Sequence, residues 1–228
     1  MTESEWLECT DPMPMLEFLQ GKASDRKLRL FACACCRTVW DAIPLGDFRS
    51  SVLTAERYSE GLATTQELES ALAGAENSIR YGLGRPFFPI PEGQYSLYAP
   101  AYAAASAATC GENSSLHAAR RVVYELERGD EGRGSFCRCD SLRDIFGNPF
   151  RPIFLFPAWL IATVTSLAEA AYDERSLPSG ELDPDRLAVL SDALEESGCD
   201  DSDILNHLRA PGPHVRGCWA VDLLLGRS

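Results

Sequence analysis

The sequence predicts an all-α fold, a compact multi-helix domain of about nine helices with a long irregular connection in the middle. Three observations carry that expectation. Apolar residues recur at three- and four-residue spacing through most of the chain, the period of one buried helix face. Residues that start and stop helices flank those stretches. The only short continuous apolar run, 151–156, has no second strand-like run to pair with, so it reads as an extended packed segment.

Trp6 and Leu7 lead a short amphipathic turn over 4–9. Asp11-Pro12 then supplies a cap and a proline for the first helical position, and Met15, Leu16, Phe18 and Leu19 follow until Gly21. Ser24 or Asp25 starts the next segment, which is apolar around much of its circumference from Leu28 to Cys36 and runs to Trp40. Such a helix belongs at the centre of a core. Pro44-Leu45-Gly46 ends it. Asp47 opens a helix through Val52, Ala55 and Tyr58, and Thr64 with Glu67 forms a capping box for another reaching residue 81.

From 82 to 100 the chain is punctuated by Pro86, Pro89, Pro91, Gly93 and Pro100, which make the irregular connection. An alanine-rich helix is expected at 101–109, and Asn113 or Ser114 starts one through Leu116, Val122 and Leu126. The polar, glycine-rich stretch 129–139 reads as a loop, and 142–150 as one helical turn ending at Gly147-Asn148-Pro149. Residues 158–175 form a helix through Val164, Ala168 and Tyr172. Three short helices close the chain. Leu187, Leu190 and Leu194 mark the first, Ile204, Leu205 and Leu208 the second, which Pro211-Gly212-Pro213 stops, and residues 215–225 the third. The helix at 28–40 and this terminal one are the expected core pair. The whole, 1–228, reads as a single helical domain divisible into halves 1–82 and 142–228 across a variable middle, 83–141.

The formal charge is −13, which disfavours nucleic acid and anionic membranes, since both are bound through lysine and arginine. Between residues 173 and 203 eleven carboxylates face two arginines. That stretch reads as a solvated face, or as a docking surface for a basic protein. Nine cysteines leave at least one unpaired, and most, such as Cys33, Cys35 and Cys36, sit in apolar helical patterns where cysteine acts as a small hydrophobe. No basic-then-apolar leader and no apolar run of about 20 residues is present, so a cytoplasmic protein with free thiols is expected.

No G-x-S-x-G, phosphate-binding loop, dinucleotide fingerprint or H-E-x-x-H occurs, and no catalytic residue is assigned. Two constellations stand out. Asp144, Asn148 and Arg151 are the candidate polar binding corner, with Asp144 expected to cap the turn or pair with Arg151. Cys199, His207, His214 and Cys218 have the spacing C-x7-H-x6-H-x3-C, a sound set for tetrahedral zinc. The competing reading has the histidines capping helix ends and the cysteines filling core gaps. His214 and Cys218, four residues apart, also fit a thiol nucleophile beside its base if both are helical.

The segments SEWLECTDPMPMLEFLQGKASDRKLRLFACACCR, RDIFGNPFRP, AAYDERSLP, DALEESGCDDSDILNHLR and PHVRGCWAVDLLLG resemble a family of bacterial proteins of uncharacterised activity. The resemblance covers roughly residues 3–60 and 142–226 and implies no catalytic or binding residue. Where that family has a His-Cys pair, this chain has His207-Leu208. The function expected from the residues is a non-enzymatic helical protein-interaction module, binding a protein partner or itself. A metal-dependent or thiol enzyme using His207, His214 and Cys218 is the alternative. No cofactor is expected from the residues, and zinc on Cys199, His207, His214 and Cys218 is the alternative to none.

Overall fold

The computed structural model describes residues 1–82, 114–130 and 135–227, together with 103, 106 and 107. The described residues form eleven α-helices and no sheet, only isolated bridges joining Ser176 to Glu181 and Glu181 to Val215. Apart from 103, 106 and 107, the expected alanine-rich helix falls outside the described residues, as does nearly all of the irregular connection.

Local chemistry starts most of these helices. Thr2 and Glu5 exchange side-chain and backbone hydrogen bonds ahead of α1 (Glu3–Glu8), and Thr64 and Glu67 do the same for α5 (Thr65–Asn77). Each exchange satisfies two amides that the first helical turn leaves unpaired. Asp11 caps α2 (Pro12–Phe18), and Ser24 caps α3 (Asp25–Arg37). The chain then passes through a 3-10 turn at Trp40–Ala42 into α4 (Asp47–Ser59). α6 (Ser114–Asp130) and α7 (Ser135–Phe146) follow, then α8 (Ala162–Asp173). α9 (Pro184–Glu196) and α10 (Ser202–Arg209) are capped by Asp183 and Asp201, so part of the acidic stretch serves helix starts. α11 (Trp219–Leu224) ends the fold.

The helix α7 corrects the expected loop. Its polar first turn hides a buried face on which Cys139, Leu142 and Ile145 recur every three residues. The extended run is as expected: Ile153 and Leu155 pack inward and no ladder forms.

Two hydrophobic clusters share the molecule. The first gathers α1 to α7 around Trp6, Phe31, Val122 and Leu142; the second gathers Trp159, α8 to α10 and α11 around Tyr172, Leu190 and Leu208. α3 is central, as its all-round apolar surface predicts, and it packs chiefly against α6 and α4. The terminal helix is not its chief packing partner. α11 packs mainly on α8, because residues 213–217 form a turn instead of a first helical turn and carry α11 to the other cluster. Ion pairs join the clusters. Arg26 of α3 bonds both oxygens of the buried Asp222 at 2.7 and 3.0 Å, while Glu56 of α4 takes Arg37 and Arg175 together.

Candidate metal centre

Four side chains from four places in the chain converge on one buried point. Asp144 comes from the end of α7 and His207 from the last turn of α10. His214 lies in the turn after Pro211-Gly212-Pro213, and Cys218 is the residue from which α11 starts. One donor atom from each, all four taken together, lie within 4.8 Å of one another. His214 Nδ1 is 2.8 Å and His207 Nε2 is 3.2 Å from Asp144 Oδ1. His207 Nε2 also stands 3.2 Å from Cys218 Sγ.

Neighbouring groups aim these donors. The Val215 backbone N–H donates to Asp144 Oδ2 at 2.8 Å, leaving Oδ1 for the histidines. His214 Nε2 lies 3.0 Å from the Ala210 carbonyl, which caps the end of α10, so its Nδ1 faces the cluster. A backbone carbonyl on the outer nitrogen is the usual means of fixing a ligating imidazole. The turn needs its glycine. Gly212 has φ +91°, and a Cβ there would stand 2.9 Å from the His214 backbone nitrogen. The His207 ring lies nearly perpendicular to His214, centroids 4.8 Å apart, and 4.9 Å from the Trp219 ring.

The charges are strongly coupled. Burial pushes the Asp144 carboxyl up, but hydrogen bonds and charge from His207 and His214 outweigh it and hold Asp144 below the usual range. Burial alone would lower His214, and the Asp144 contact reverses that and raises it. The Cys218 thiol is pushed well up by burial and by Asp144, with the Val221 and Ala220 amides offsetting this in part. A divalent cation would invert that last preference, because a coordinating thiol gives up its proton.

The donor set suits zinc. Tetrahedral bonds of about 2.0–2.3 Å place ligand atoms about 3.3–3.8 Å apart, and the observed separations bracket that range. One carboxylate and one thiolate neutralise a dication, so the filled site carries no net charge into a buried setting. Four protein ligands leave no open position for substrate, the arrangement of structural sites.

Compared with known proteins, the chain matches no family model, no curated protein and no solved structure.

The residues expected from sequence are redistributed. His207, His214 and Cys218 come together, through a turn and not through one helical face. Cys199 stays apart: it is buried in the second cluster next to the Asp201 amide. Asp201 caps the start of α10 and His207 lies at its end, about 9 Å of helix away. The sequence groups the fourth donor, Asp144, with Asn148 and Arg151 in the polar corner. That corner does not form as expected. Asn148 donates to Glu3 at 2.6 Å and Arg151 pairs with Glu3 at 2.5 Å, while Asp144 turns inward. Asp144 precedes His207, the next of the four donors, by 63 residues, and its place beside the apolar Ile145-Phe146 at a helix end is the signal the sequence offers.

Proposed function

We propose that this chain is a non-enzymatic helical interaction module whose two hydrophobic clusters are tied together by a structural zinc site. Asp144, His207, His214 and Cys218 are the ligands. The observation that carries this reading is the convergence of four donors of zinc-binding type, each aimed by a neighbouring element, at one buried point. The thiol-enzyme alternative has the burial of Cys218 against it, since the sulfur is 0% exposed and its thiolate is disfavoured without a cation. The interaction role is supported by the segment after α7, where Phe154 and Phe156 are 75% and 58% exposed, with Ile161 beside them.

Metal analysis of the reduced full-length chain, followed by competition with a colorimetric zinc chelator, tests the site. One zinc per chain is expected. Asp144→Asn and Cys218→Ser should each weaken it by more than the ten- to hundredfold that outer-shell losses cause, whereas Cys199→Ser leaves it unchanged. A cobalt-substituted sample should show the intense visible bands of a tetrahedral centre and a thiolate charge-transfer band that Cys218→Ser removes. Failure to take up zinc under reducing conditions, or equal losses in Cys199→Ser and Cys218→Ser, ends the proposal.

A further inference from the structure

A second polar site lies away from the metal ligands, at the seam between α3, α4, α8 and the chain end. A cavity of about 390 Å³ is lined there by Arg26, Ser59, Glu60, Tyr172, Arg216 and Arg227. That volume suits a small organic ligand. Its arginines are not equivalent. Arg26 is committed to Asp222 and Glu60, at 2.7 and 3.1 Å. Arg227 lies 3.3 Å from Glu60, and the Tyr172 hydroxyl, itself accepting from Arg26, donates to Glu60 at 2.7 Å. Glu60 is thereby shared among three donors. Glu56, behind them, is taken by Arg37 and Arg175.

Arg216 is left over. Its Nε is buried without a hydrogen-bond partner, and no carboxylate among the described residues pairs with its guanidinium. Its charge rests on the Tyr172 ring, 5.2 Å from the centroid. Arg227 lies 4.2 Å from the same centroid. Burial and the like charge of Arg175 both disfavour the Arg216 cation, and Tyr172, Glu56 and Glu60 only partly offset them. A guanidinium stays charged in proteins, so an unpaired one is retained at a cost. Asp173, exposed at the rim, is the remaining acid of the lining, with no ion pair to any of these arginines. In a chain of net charge −13, a cavity wall carrying an unmatched cation is a site lacking its anion.

We propose that this cavity binds the oxyanion group of a small ligand, phosphoryl or carboxylate, with Arg216 as its principal contact and Arg227 as the second. Two guanidinium groups over one aromatic ring offer the forked donors that both anions accept.

The test is calorimetric titration and thermal unfolding of the full chain with inorganic phosphate in one arm and acetate in the other, against chloride at matched ionic strength. Saturable binding of either anion, absent with chloride, is the expected result, and the arm that responds names the group. Arg216→Met should remove about ten- to hundredfold in affinity, the value of a charge-assisted contact. Because it deletes an unpaired, half-buried charge, the same substitution should not lower the melting temperature without anion. Arg227→Gln, at a more exposed position, should weaken binding in the same direction and serves where Arg216→Met folds poorly. Equal binding by wild type and both variants, or no response beyond chloride in either arm, overturns the proposal. All arms and variants are compared at the same zinc loading, so the anion-dependent difference is independent of the metal site.

Discussion

Glu56 accepts hydrogen bonds from Arg37 through both of its oxygens and from Arg175 at 3.2 and 3.0 Å, deep between α3 and α4. Burial drives its carboxyl up, but the two guanidinium groups outweigh burial and hold it below the ordinary glutamate value. The sign of the pH effect follows. A carboxyl lowered on folding adds stability that is complete above its unfolded value, about 4.3, and is lost as pH falls through the folded value. Glu56→Gln should cost about 3–5 kcal/mol at neutral pH, because two buried arginines lose their counter-charge. Urea midpoints at stepwise lower pH should show wild type losing part of its advantage over the variant below about pH 4. A constant gap across that range would mean that Glu56 contributes shape and not charge.

At the level of single elements, α3 was the most legible part of the chain. Its pattern from Leu28 to Cys36 has no polar face, and Phe31, Ala32, Cys35 and Cys36 are indeed fully buried. Phe31→Ala should destabilise by about 3–5 kcal/mol, as truncated core aromatics do, and a shift worth under about 1 kcal/mol in denaturant titration would place α3 outside the core. Caps were legible at Asp11, Ser24, Thr64 and Asp201, which act on amides two or three residues away, whereas Thr2 and Asp183 emerge only in the structure. What spacing could not supply was anything decided by tertiary direction. α7 was hidden by its polar first turn. The path of residues 213–217 depends on close approach, as at Gly217, where φ is +95° and a Cβ would stand 3.0 Å from Leu30. The site suffered the same limit. Three of its donors lie close in sequence, but Asp144 reaches them only because α7 docks against that turn.

Across the whole molecule, the donor set straddles the boundary between the two clusters. Asp144 is flanked on α7 by Leu142 and Ile145 of the first, whereas Cys218 belongs to the second and His207 lies on α10 between its Leu205 and Leu208. Val215, which holds Asp144 Oδ2, packs with the first cluster. A zinc ion at this position therefore stabilises the docking of one cluster on the other more than either cluster alone. At a free zinc level a hundred times its dissociation constant, the linkage amounts to about 2.7 kcal/mol, roughly a hundredfold in an opening equilibrium. Hydrogen exchange on the reduced chain, with zinc and after chelation, reads this directly. Chelation should speed exchange around His207, Leu208, Val215 and Val221 by about that factor, while amides near Phe31 and Val52, remote from the donors, change little. Thermal unfolding should broaden or divide as the clusters lose their tie. Equal acceleration across both clusters would make the metal a general requirement for folding, and no acceleration anywhere would leave the four donors as a hydrogen-bonded knot with no metal to hold.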